Sequence, residues 1–325
     1  MVSASDFILI PYTPDMTLAG VAYTCHWLTH GHKNIESPIF PNLRRIVADK
    51  AMELAFRHHL VEYHIPHKNL SSPNFTDPDR YAITLGGRRC DLHGFLLSQK
   101  NVIRRIQGNL EELLKADALI PSEQFVGGIH TNHDLYVFGF VTALVTTNRH
   151  ELMRALDKSQ SNYLINLLPK SWSNPDQWVT LGKLALKSEN IQPITLVMGG
   201  QIENMQSQTQ EVILPSGLRV EIQNDFYSLV YMHVSPNPNG RVGVHSPRLN
   251  QTLIIQPNDW GNLWLYGMEV ILCGYITHGE FRQHAHELPA GSRVLQYRQT
   301  PEKSLALPVA NLHPMQELFE LATAA

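Results

Sequence analysis

Two side chains in the stretch RYAITLGGRRCDLHGFLLSQ, residues 80–99, carry chemistry at strand spacing. Asp91 and His93 are two positions apart, and in an extended strand residues i and i+2 share a face. A carboxylate beside an imidazole can orient water, hold a divalent cation or move a proton near neutral pH. The pair Gly86-Gly87 predicts a two-residue hairpin turn, because both central residues of a primed turn need positive φ. That turn sets the register: Leu85 with Arg88, Thr84 with Arg89, Ile83 with Cys90, and Ala82 with Asp91. Ala82, Thr84, Arg89, Asp91 and His93 then share a polar face. Tyr81, Ile83, Leu85, Cys90 and Leu92 share an apolar one.

The elements around this hairpin must position the two groups. A helical pattern runs from Asn42 to His64 and places Ile46, Lys50, Glu53 and Arg57 along one stripe. Residues 98–119 read as a second helix with Val102, Ile106, Leu110, Leu113 and Leu114 on its buried side. The run DLYVFGFVTALVTT is apolar and β-branched enough for a buried strand. The order is therefore helix, strand, strand, helix, strand. Residues 6–28 read as strand, turn, strand. Beyond about residue 190 short apolar runs alternate with Gly, Pro and Asn, which predicts a mostly β region, with Asn239-Gly240 as a further hairpin signal.

That order, with an acid on the second strand of the hairpin, resembles the PD-(D/E)XK nuclease superfamily. DPDRYAITLGGRRCDLHGF looks like its signature, with Asp91-Leu92-His93 in the acid-x-Lys place, and the resemblance covers roughly residues 43–145. It implies a restriction-endonuclease-like core, a mixed sheet flanked by helices, and cleavage of DNA phosphodiesters with Mg²⁺ (or Mn²⁺). It implies that Asp91 and the Leu92 carbonyl bind the metal, His93 takes the lysine's role and Glu53 orients metal-bound water. Many members act as dimers, so a homodimer is expected. A hard cation polarises the phosphate and acidifies water, and needs one or two carboxylates. Ala82 stands where the pattern has the first acid. Either Asp79, in the literal Pro78-Asp79, or Glu53 supplies the second ligand, or the site is degenerate, or Ala82 replaces an acid.

The chain of 325 residues has 43 % hydrophobic and 17 % charged residues and a net charge of -3. That composition supports a sizeable core and excludes a uniformly basic nucleic-acid coat. Any nucleic-acid surface is local, and Lys50, Arg57, Arg88, Arg89, Arg104 and Arg105 are its candidates, with Arg44-Arg45 a further pair. Three isolated cysteines give no thiolate zinc spacing and read as a reduced, cytoplasmic protein. The N-terminal segment lacks signal-peptide features, and no apolar run is long enough to span a membrane. The histidines of HHLVEYHIPH, IHTNHD and THGEFRQHAH lack paired metal-ligand spacing. The expected division is a nuclease-like core over 1–190 and a β-rich recognition or dimerisation domain over 191–325. Two other readings stand beside the nuclease: a non-catalytic nucleic-acid-binding protein of the same fold, and a β-rich small-molecule binder.

Overall fold

The computed structural model describes residues 1–30, 38–70, 81–235 and 237–324; the expected ligand Asp79 lies outside them. In chain order the elements begin β1 (Ile8–Pro11), α1 (Pro14–Thr29), α2 (Ile39–Glu62), β2 (His67–Asn69), β3 (Tyr81–Leu85), β4 (Arg88–Leu97), α3 (Lys100–Gly108), β5 (Asp117–Pro121), α4 (Ser122–Gly127) and β6 (Leu135–Val145). They continue α5 (Arg149–Asp157), β7 (Leu164–Leu167), α6 (Lys170–Ser173), β8 (Ala185–Ser188), β9 (Ile194–Gln201), β10 (Ser207–Leu214), β11 (Arg219–Glu221), β12 (Ser228–Ser235), β13 (Val242–Ser246) and β14 (Gln251–Ile255). The last are β15 (Gly261–Asn262), β16 (Leu265–Thr277), α7 (His278–His284), β17 (His286–Leu288), β18 (Ser304–Pro308) and α8 (Met315–Ala324). No helix among the described residues is long and apolar enough to cross a membrane.

The protein is mixed α/β and divides into two compact units, but not at residue 190. Unit 1 is residues 1–20, 45–145 and 265–325; unit 2 is residues 21–44 and 146–264. The interleaving follows from strand pairing. β6 and β16 are antiparallel neighbours, with Val145 opposite Leu265, so residues 146–264 form an insertion in the connection of one hairpin. The C-terminal stretch read as part of a β domain instead completes the sheet of unit 1.

Unit 1 is built on a six-stranded mixed sheet in the order β1-β16-β6-β4-β3-β2. β4 and β6 run parallel, as a strand–helix–strand crossover through α3 requires. One face carries α2 and α8, where Phe56 and Phe319 stack with centroids 6.3 Å apart. On the other face Phe95, Phe138 and Phe140 bury against Ile106 of α3, Ile120 of β5, Leu307 of β18 and Phe281 of α7. The aromatic faces alternate along strands with no wet side, as a sheet covered on both faces demands.

Unit 2 holds two antiparallel sheets, β10-β9-β12-β7-β15 and β11-β8-β13-β14. Leu196, Met198 and Val234 of the first meet Leu186, Val244 and Ile255 of the second around Trp172. Two expectations change here and at the N terminus. Asn239-Gly240 makes no hairpin, because β12 and β13 belong to different sheets. Gly240 instead lets the chain cross close to β8: a Cβ there would sit 2.4 Å from the Glu189 carbonyl oxygen. The segment read as turn and strand is α1, which Pro14 opens at the first helical position. Its buried Thr17, Val21, Thr24 and Leu28 recur every three or four residues.

Candidate functional site

The glycine turn is present, with φ of 52° at Gly86 and 73° at Gly87. Pairing follows the expected register through Leu85–Arg88, Thr84–Arg89 and Ile83–Cys90, then slips. Tyr81, not Ala82, pairs with Asp91. Ala82 is the extra residue of a β-bulge, so the position read as the first-acid place does not face Asp91 across the hairpin.

The two faces of β4 then separate the acids. The Gly94 N–H donates to Asp49 Oδ1 of α2 at 2.8 Å. A Cβ on Gly94 would lie 2.9 Å from Asp49 Cα and 3.0 Å from Met52 Cβ, so α2 packs against that face. By alternation Cys90, Leu92 and Gly94 turn toward α2, whereas Arg89, Asp91, His93 and Phe95 turn away. Glu53 stays with α2, held by Lys50 at 2.5 Å and by Arg57 at 2.7 Å. Arg57 also donates to the Ala82 carbonyl at 3.3 Å. Glu53 and Asp91 are therefore on opposite sides of the strand, and the expected sharing of one cation is not what the fold builds. Lys50 and Arg57, expected to reach a phosphate backbone, are occupied by Glu53.

Asp91 instead joins a buried histidine cluster. It is 1 % exposed, its Oδ2 accepts from Gln124 Nε2 at 2.9 Å, and His93 Nε2 lies 3.2 Å from the same oxygen. His93 stacks on Phe138 at 5.4 Å and meets the edge of Tyr136 at 5.6 Å. His130 and His278 stack at 4.7 Å, and His278 lies on Phe125 at 4.8 Å with planes 11° apart. Asp134 accepts from Arg89 Nε at 3.0 Å and Nη2 at 2.6 Å, and from the Thr131 N–H at 2.6 Å. That bidentate pair pins the loop carrying His130 and takes Arg89 away from any phosphate. Strands β4 and β6 supply His93 and Tyr136; α4 and α7 supply Phe125 and His278.

This arrangement is rich in imidazole and poor in nucleophiles. Burial pushes up all three thiols, Cys90 to about 12, so none is a thiolate near neutral pH. No group of three metal-ligating side chains occurs among the described residues. With Asp91 engaged by Gln124 and His93, and Glu53 neutralised on the far side, those residues do not fit a Mg²⁺ site of the expected kind.

Burial holds the His278 imidazole below its ordinary 6.5, reinforced by the charge of His130 and opposed by Asp134. The unfolded chain therefore takes up this proton first as pH falls through 6.5. Stability is full above that pH and declines below it, until the folded ring also protonates. The melting midpoint should thus fall between pH 7 and pH 5, and His278→Phe should flatten that fall; an unchanged slope in the variant would refute the assignment.

A second feature of unit 1 is an open groove of about 880 Å³ beyond the C-terminal end of β4. Arg105, Lys115, Arg293 and Arg298 line it, against Glu112 and Asp117. Glu112 binds Lys115 at 2.6 Å and Arg105 at 3.6 Å. Burial pushes the Asp117 carboxyl above its ordinary value, opposed by His286. Arg293 and Arg298 make no ion pair within 4.0 Å among the described residues. Along β4, at about 3.3 Å per residue, Asp91 is roughly 26 Å from Gln99 at the groove. Of the arginines picked from sequence, Arg105 lines this groove, Arg104 is exposed on α3 beside it, and Arg88 lies at the opposite end of β4. Arg45 lies over the Tyr297 ring at 4.3 Å, and Arg44 is buried in unit 2, donating to the Asn262 carbonyl.

Sequence reasoning missed Arg293 and Arg298, which sit in an irregular segment of the stretch read as mostly β. It also missed the meeting of His93, His130 and His278, which come from three separated segments. The signal for the groove was present as two arginines flanking Tyr297 in RVLQYRQ. No family model matches the chain, and neither a curated protein nor a solved structure matches it.

Proposed function

We propose that unit 1 is a nucleic-acid-binding scaffold with a restriction-endonuclease-like core, which holds a phosphate backbone without cutting it. The element order α2-β2-β3-β4-α3-β5-α4-β6, in which the antiparallel meander β2-β3-β4 is followed in the same sheet by the parallel strand β6, supports the core. The observation that carries the reading is the groove, where four cations face two carboxylates and Arg293 and Arg298 make no ion pair within 4.0 Å among the described residues. Phosphate contacts of this kind give affinity without sequence information. The absence of cutting rests on the division of the acids between the two faces of β4. DNA is the expected partner, carried by the resemblance, and RNA would satisfy the same charges.

The test is a nicking and retention assay in Mg²⁺ or Mn²⁺ at low salt. Wild type, Ala82→Asp and Asp91→Ala should all retain duplex DNA and all leave it intact. Ala82→Asp stays silent because the bulge keeps residue 82 from facing Asp91. Cleavage by wild type, or cleavage gained with Ala82→Asp and lost with Asp91→Ala, would restore the nuclease reading and overturn this one.

A further inference from the structure

The sheet β11-β8-β13-β14 of unit 2 buries one face and leaves the other open. Leu186, Val242, Val244 and Ile255 point into the core. On the open face one rung runs Arg219, Lys187, Gly243, Ile254 across the four strands. The next rung runs Glu221, Ala185, His245, Thr252. The two central strands thus carry Ala185 and Gly243, so the middle of the face is nearly bare backbone. Around it stand Lys187, Arg219, Arg241 and His245, with Glu189 the one carboxylate of the lining and close enough to feel the charge of Lys187, and the resulting pit has a volume of about 360 Å³. That is within the range of small-molecule sites, roughly 300–1,000 Å³.

Gly243 is the informative residue. A glycine inside a strand weakens it, and often marks close approach by another group. Here folding does not require it. Its φ is not positive, and an added Cβ would meet only the Leu253 and Lys187 carbonyl oxygens, both at 3.9 Å. Beside it Ile254 is 54 % exposed, an apolar wall open to solvent. The charges are partly free as well. Arg241 is held by Glu189 at 2.7 Å and Arg219 reaches Glu221 only at 3.8 Å. Lys187 makes no ion pair within 4.0 Å among the described residues. A flat floor of backbone, one apolar wall and an excess of cations fit a ligand that is flat and apolar at one end and anionic at the other.

We propose that this pit binds an organic phosphate carrying a planar ring, of the nucleotide class. The ring lies on Gly243 and Ala185 against Ile254, and the phosphate sits between Lys187 and Arg219. The ligand is a free nucleotide or the 5′-phosphorylated end of a strand, and both present the same chemistry. The inference does not depend on the groove of unit 1.

The experiment measures binding to the full chain of adenosine monophosphate, inorganic phosphate and a short 5′-phosphorylated oligonucleotide. It uses the Arg293→Glu/Arg298→Glu background, so that the unit 1 groove does not contribute. Adenosine monophosphate or the oligonucleotide should bind at least tenfold more tightly than inorganic phosphate. Gly243→Leu should abolish that binding while leaving the melting midpoint unchanged or higher, and Lys187→Glu should weaken it at least tenfold. Loss in the mononucleotide arm identifies a free nucleotide as sufficient; loss in the oligonucleotide arm alone identifies a strand end. Binding that survives Gly243→Leu in both arms, equal affinity for inorganic phosphate, or no binding in either arm overturns the proposal.

Discussion

Replacing Gly94 by valine is expected to destabilise the protein by about 4 kcal/mol. The position has no room: a Cβ would fall 2.9 Å from the backbone of α2 at Asp49 and 3.0 Å from Met52. Overpacking of this kind costs about 1–3 kcal/mol. Pushing α2 away also breaks the bond from the Gly94 N–H to the Asp49 carboxylate, and a hydrogen bond to a charged group is worth about 1.5–3 kcal/mol. Gly139, beside Gly94 in the parallel register, lies under the same Met52 side chain, whose sulfur would be 3.0 Å from an added Cβ. The two glycines form the floor on which α2 sits. Urea unfolding of Gly94→Val and Asp49→Ala measures both parts, with Asp49→Ala showing only the second. A Gly94→Val protein within about 1 kcal/mol of wild type would mean that α2 does not lie against β4, and the separation of Glu53 from Asp91 would lose its basis.

How much of this was legible in the sequence depends on how local its cause is. The turn at Gly86-Gly87 was legible because positive φ at two successive residues is a local demand. So was β6, since an apolar β-branched run has few other fates. The buried stripe of Val102 and Ile106 on α3 was legible from period alone. The bulge at Ala82 was not, because nothing in Tyr-Ala-Ile differs from an ordinary strand. A register carried from the turn holds only until a bulge, and one extra residue here sets Tyr81 rather than Ala82 opposite Asp91. α1 was misread because LAGVAY has the composition of either element, and its helical burial pattern rests on Thr17 and Thr24, which read as polar. The division into units was hidden for a different reason. β16 is apolar enough to belong to any sheet, and its choice of β6, across the whole of residues 146–264, is a tertiary fact. The histidine cluster is tertiary too: His130 and His278 stood out in sequence, with no sign that they would stack.

Reversing Arg293 and Arg298 is the second change with a large expected effect, here on binding. Each phosphate contact on duplex DNA contributes about 0.9 to the slope of log affinity against log salt. At about 0.1 M salt one such contact is therefore worth nearly one logarithmic unit, and two are worth roughly 60-fold. Reversal adds repulsion to loss, so Arg293→Glu/Arg298→Glu should weaken DNA binding about 100-fold. Arg105→Ala should do less, because Arg105 is already shared with Glu112. Lys50→Ala and Arg57→Ala should leave binding within about threefold of wild type, since both cations are committed to Glu53. These contrasts separate the groove from a general effect of charge.

The salt dependence of that binding tests the central claim most directly. Fluorescence anisotropy of a labelled duplex, between about 50 and 200 mM salt, should give a slope near -3.5 for wild type, from four contacts at about 0.9 each. Arg293→Ala/Arg298→Ala should bring it to about -2, by removing two of the four. Equal slopes for the two proteins, or no retention of the duplex at the lowest salt, would contradict the account.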